Sequence, residues 1–158
     1  MGVSGPTGDL RKLGERFRKL GTPAGRAGLT KVLGETARTQ CIKGFKASVD
    51  PYGTPWKPIK NRAGQPLIDT GRLKNSFHAD STAGGFGLST EVQYAAAHQE
   101  GATIRKRSPR GTSHSERRAA ATFKLPRRQM VPDAKGLGTW QAPLERAADR
   151  YVRMAVGA

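Results

Sequence analysis

The stretch "TPAGRAGLTKVLGETARTQCIKGFKAS", residues 22–48, sets the frame into which the other segments must fit. Thr22 before Pro23 is a helix start: a hydroxyl to cap free amides, then a ring whose missing N–H costs nothing at the first helical position. Leu29, Val32, Leu33, Thr36, Ala37, Gln40 and Phe45 then keep a helical period to about Ser48, with Val49 just beyond. Upstream, Leu10, Leu13, Phe17 and Leu20 recur at spacings of three and four, and Arg11, Lys12, Arg16, Arg18 and Lys19 fill the opposite side. The chain therefore opens with a helical pair whose second member is the longest element. The expected organisation is a basic arm over residues 1–21 and one domain over residues 22–158.

Downstream, "DPYGTPWKPIKNRAGQP", residues 50–66, holds four prolines and two glycines, which excludes helix interior and central strand. Trp56 has too much apolar area to stay wet, so it should dock. In "LIDTGRLKNS", residues 67–76, Arg72 to Asn75 read as a short helical turn. The segment "SFHADSTAGGFGLSTEVQY", residues 76–94, alternates apolar and polar side chains around "TAGG", the pattern of a half-buried hairpin. Ala95 to Gln99 read as a helical turn closed by Gly101. Residues 105–118 contain six basic groups, one acid and no apolar side chain, so an exposed, mobile loop is expected. Residues 121–138 offer one short strand, and Thr139 looks like the cap of a last helix bearing Trp140, Leu144, Tyr151 and Val152 on one stripe.

At 158 residues the chain suits one domain burying roughly two thirds of its unfolded surface. Its 28 basic and 12 acidic groups give a net charge of +16, a pull toward anionic partners and a source of self-repulsion. Residues 51–100 are almost neutral, with 5 basic and 4 acidic groups, so the charge sits on the flanks. One cysteine, Cys41, excludes an internal disulfide and the cysteine-rich zinc sites. No run approaches the ~18 apolar residues of a membrane span and no leader is evident, so a soluble protein made in the cytoplasm is expected.

Reactive groups are sparse. His78, His98 and His114 show no metal-ligand spacing, and Cys41 within an amphipathic helix reads as packing rather than as a nucleophile. Asp69-Thr70-Gly71 matches the signature of aspartic proteases, but those need two copies flanked by strands, whereas one copy here precedes a helical turn; an Asp or Thr cap is the simpler reading. We therefore expect no catalytic, cofactor or metal site. The basic residues Arg105, Lys106, Arg107, Arg110, Arg117 and Arg118, with Arg11 and Lys12, are the electrostatic footprint that phosphate contact needs, so non-specific nucleic-acid binding is the alternative reading.

Three motifs in order carry a resemblance. They are Asp50, Pro51, Gly53, Trp56 and Pro58; Leu67, Ile68, Thr70, Gly71, Leu73 and Ser76; and Tyr94, Ala95, His98, Gln99 and Gly101, followed by Leu125, Pro126 and Arg128. With the helices around them, over about residues 25–155, they resemble the phage virion morphogenesis family, which includes tail completion proteins of contractile-tailed and Mu-like phages. The chain departs from the family's usual Pro-Phe-Leu-Gly ending, having "RRQMVPDAKGLG" instead, and its basic insertion is longer. The resemblance implies a structural protein of the virion neck that completes the tail at its head-proximal end. It also implies a sixfold ring of copies and contacts with tail terminator and head-tail connector proteins, while the basic flanks are what suggest non-specific contact with phage DNA.

The architecture expected is α+β: an N-terminal helical pair, a small mostly antiparallel sheet with the 76–94 hairpin at its centre, and a C-terminal helix packed against it, with an extended basic loop. Leu67, Ile68 and Leu73 should anchor a corner that Thr70 and Gly71 turn into the first strand. Gly71→Val and Leu73→Asp are accordingly expected to misfold the protein and Arg72→Ala to be mild in thermal unfolding; a Gly71→Val protein melting with the wild type would sink the corner reading.

Overall fold

The computed structural model describes residues 7–60, 63–105 and 122–157, with side chains in the first helix from residue 14 onward. Helix α1 spans Thr7–Gly21 and α2 spans Pro23–Ala47, joined by the single residue Thr22. The Thr22 hydroxyl accepts from Gly25 N at 3.1 Å and donates to Lys19 O at 2.6 Å, so one side chain closes one helix and opens the next. At the far end Ser48 takes the left-handed conformation, φ 56°, and Val49 N–H returns to Gly44 O at 3.1 Å.

The chain then doubles back. The Asp50 carboxylate accepts from Tyr52 N at 2.9 Å and Thr54 N at 2.8 Å, and Val49 bridges Pro55, which lays Trp56 against the end of α2. Phe45, fully buried, sits edge-on to Trp56 at 5.5 Å between ring centroids and tilted against Phe77 at 5.8 Å. Ala37, Cys41 and Phe45 extend along one stripe of α2, and Leu73, Val92, Ala95, Met130, Trp140 and Leu144 complete the core.

After the short helix α3, Arg72–Asn75, strands β1, His78–Thr82, and β2, Gly85–Ser89, form an antiparallel hairpin with Ala79 opposite Leu88 and Ser81 opposite Phe86. It packs on α2, tied by Arg38 Nε to Phe77 O at 2.7 Å and by the Thr30 hydroxyl to Thr82 O at 2.6 Å. Helix α4, Tyr94–Glu100, leads through Gly101 into β3, Ala102–Arg105, which pairs antiparallel with β4, Thr122–Leu125. A 3-10 turn, Gly138–Trp140, opens the final helix α5, Gln141–Val156.

The α+β class is as the sequence implied, with three differences in arrangement. The strands form two separate two-stranded ribbons, because α4 and the bend at Gly101 divert β3 away from β2. Helix α5 rests on α2 and α1: the Tyr151 hydroxyl donates to Gly25 O at 3.0 Å and the Arg16 guanidinium to Val156 O. Thr139 does not cap α5; its N–H and hydroxyl both donate to Pro51 O, at 2.8 and 2.9 Å, fastening the last helix to the Pro-Trp loop. Gly71 adopts φ +80° as the residue before α3, and Leu73 behind it is buried, so this corner is a left-handed turn locked by a core leucine.

Since Phe45 joins α2, the Pro-Trp loop and the residue entering β1, Phe45→Ala should lower unfolding free energy by about 3–5 kcal/mol in urea titration. Val32→Ala, at an exposed position of the same helix, should cost well under half of that; equal losses would mean that α2 is not the core's spine.

Candidate functional site

Residues 125–131 run between the Pro-Trp loop and α4, and beyond Leu125 they belong to no strand or helix. Arg128, Gln129 and Met130 are nonetheless buried, so their backbone groups need partners from elsewhere. Gln99, near the end of α4, supplies several: its Oε1 accepts from Met130 N at 2.8 Å and Val131 N at 3.3 Å, and its Nε2 donates to Val131 O at 2.8 Å. Arg128 N donates to His98 O at 2.8 Å. On the other side Trp56 Nε1 donates to Gln129 O at 3.0 Å, and the Arg128 guanidinium reaches Lys57 O from Nε at 3.0 Å and from Nη2 at 2.9 Å. The segment is a clasp that holds two otherwise separate pieces of chain.

Charged groups reinforce it. Arg127 donates from Nε to Gln99 O at 3.1 Å and pairs with Asp133 at 3.2 Å, and the Tyr52 hydroxyl donates to Asp133 at 2.7 Å. That hydroxyl, helped by the Lys135 N–H, holds the Asp133 carboxyl down at about 2. The buried Arg128 guanidinium is pushed downward by desolvation, offset by carbonyl oxygens rather than a carboxylate in hydrogen-bond contact. Gly101 sits at φ +78°, and a Cβ there would lie 3.2 Å from Arg127 N and 3.3 Å from Leu125 O, so only glycine lets the clasp pass.

Beside the clasp opens a cleft of about 390 Å³. The structure brings Leu67, Thr70, Gly71, Leu73, Tyr94 and His98 to this one cleft, together with Ile59, Leu125 and Arg128. Trp56 faces a second hollow of about 450 Å³ across the clasp, with Tyr52, Lys57 and Arg127. Ile68 packs on the core, while Gly101 and Pro126 shape the backbone rather than the cleft wall. Arg105 is exposed at the end of β3; the basic positions Lys106, Arg107, Arg110, Arg117 and Arg118, and the side chains of Arg11 and Lys12, lie outside the described residues.

Chemically the cleft offers one unusual group. His98 Nδ1 is buried with no hydrogen-bond partner, and the ring lies edge-on to Tyr94 at 6.0 Å. Burial, with a further push from the Arg128 charge, lowers the His98 pKa and favours the neutral ring. Cys41 is buried and its thiol is pushed up to about 12, so it supplies no thiolate at neutral pH. Asp69 precedes α3 with no strand on either side, and Thr70 Oγ1 accepts from Arg72 N at 3.4 Å, a turn contact. Among the described residues no three of His, Cys, Asp and Glu group to hold a metal ion, and no helix is long and apolar enough to cross a membrane.

Sequence reasoning singled out the motifs but not the work of Gln99, Gln129, Tyr52 or Asp133. Tyr52 and Asp133 are 81 positions apart, and no local pattern announces such a pair. The buried cation at Arg128 had one readable signal, a basic residue inside an apolar, proline-bounded run.

The neutral His98 gives a pH dependence. Its native pKa lies below the ordinary 6.5, so the unfolded chain takes up the proton first. Stability is whole above about pH 6.5 and is lost as pH falls from there through the native value. Urea midpoints at pH 8 and pH 5 should therefore differ in the wild type and differ less in His98→Gln; identical differences would show that His98 is not the group responsible.

A family model for the phage virion morphogenesis family matches residues 9–141, a span that contains the Pro-Trp loop, the Gly71 corner, α4 and the whole clasp. Neither a curated protein nor a solved structure matches the chain. The motifs that build the clasp and its cleft are thus accompanied by a match over most of the sequence, and the chain belongs to the phage virion morphogenesis family, with a role in phage virion assembly.

Proposed function

We propose that the protein completes the phage tail at its head-proximal end and joins tail to head as a structural, non-catalytic subunit of the neck. The observation that carries this reading is the clasp. The polar side chains of the motifs, Trp56, Gln99 and Arg128, direct their hydrogen bonds at backbone carbonyls and amides, which is how a scaffold is held and not how a reaction centre is built. The thiol and the imidazole nearest the core are withheld in neutral form.

In this reading copies of the chain form a ring of sixfold symmetry in the virion neck, assembled in the bacterial cytoplasm. Its neighbours are a tail terminator on one side and a head-tail connector on the other. Strong positive charge, +16 over the chain, suits a channel through which DNA passes and gives non-specific contact with it.

A phage lacking this protein should accumulate filled heads and full-length tails that fail to join, seen by electron microscopy of lysates and restored by the wild-type chain in trans. Wild-type numbers of joined particles in its absence would overturn the proposal.

A further inference from the structure

The clasp engages only part of the Arg128 guanidinium. Nε and Nη2 donate to the carbonyls of Lys57 and Pro58, while among the described residues Nη1 has no hydrogen-bond partner and no carboxylate pairs with the group. The residue is nonetheless only 5% exposed, and it lines the cleft of about 390 Å³. A cation held away from water without a counter-charge raises the energy of the fold, and an anion entering the cleft lowers it again.

The lining narrows the choice of anion. Ile59, Leu67, Leu73 and Leu125 make much of the wall apolar, and the exposed Arg72 adds a second cation, with Asp69 the one acid among the described residues of the wall. Leu67 holds φ 61°, a left-handed conformation that leucine rarely adopts, and backbone strain of this kind gathers at binding sites. His98 adds a donor. Its Nδ1 is buried without a partner, and Arg128 is close enough to give its backbone N–H to His98 O at 2.8 Å and to disfavour a charged ring. With the proton of the neutral ring on Nδ1 the imidazole donates, and one carboxylate offers two oxygens to the two unused donors. A phosphate would bring more negative charge than this wall balances and would leave the four apolar side chains facing it.

We infer that the cleft is a binding site for a carboxylate carried on a compact apolar group, with Arg128 and Arg72 as the cations that hold it and His98 Nδ1 as a further donor. The four apolar side chains would wall in its stem, and the volume falls in the range of small-ligand sites. The site does not depend on the neck assignment.

The test is an NMR titration of the full isotope-labelled chain with 4-methylpentanoate and with its neutral amide. The acid should bind at least about tenfold tighter than the amide and shift the His98 ring and the Gly71 amide. Arg128→Lys should weaken the acid about tenfold by losing the planar fork. Arg72→Gln, at an exposed position, should weaken it about threefold with melting unchanged, and decides alone where Arg128→Lys fails to fold. Two peptides identify the source: one ending in a free leucine carboxylate, and one amidated with an internal glutamate between leucines. Tighter binding than 4-methylpentanoate by the first assigns a protein chain end, by the second an acidic side chain, and by neither a small acid; each supports the site. Equal affinity for acid and amide, shifts confined to residues outside the cleft, wild-type affinity in Arg72→Gln, inorganic phosphate binding as tightly as the acid, or no binding of the acid or either peptide would each overturn it.

Discussion

A backbone buried outside any sheet or helix must have its amides and carbonyls satisfied by side chains or distant backbone, and in this protein residues 128–130 impose that requirement on everything around them. Gln99 answers from α4 and Trp56 from the Pro-Trp loop, while Arg128 turns outward to hold the carbonyl of Lys57. Each answer fixes the position of the segment that gives it. The loop is held on α2 by Phe45 beneath Trp56, a ring contact, and joined to the clasp and to the start of α5 by polar contacts that span about half the sequence.

Local signals in the sequence were read reliably wherever their cause was local. Thr22 before Pro23, the period of α2, the turn at residues 82–85 and the short helix at Arg72 depend on groups within a few positions, and each stands where the sequence put it. Thr139 misled because a 3-10 turn, Gly138–Trp140, precedes α5 and makes Trp140 the residue before it, while the Thr139 hydroxyl donates to the distant Pro51 O. The placement of α5 was hidden for a related reason. An apolar stripe reports that a helix is covered, and only the depth of Gly25 and Gly28 against Tyr151 reports by what.

The candidate site was legible as a set of segments and opaque as a geometry. Leu67, Gly71, Leu73, Tyr94 and His98 could be named from their motifs, but nothing in their spacing says that they share one cleft. The ribbon of β3 and β4 shows the limit most clearly. Alternation over four residues is too brief to stand out beside a long basic run, and Ile104 read alone is just the last apolar residue before it.

Arg105 and Thr122 are partners across that ribbon, so the two ends of the segment between them lie side by side. A flexible segment spliced between them is anchored at both ends, and each doubling of its length adds only about 0.6 kcal/mol of closure entropy. The ribbon is a socket in the evolutionary sense. Insertions of different length and charge can be exchanged there while the clasp, the corner and the helices keep their places, which makes it the position at which relatives could diverge in what they meet while remaining the same building block.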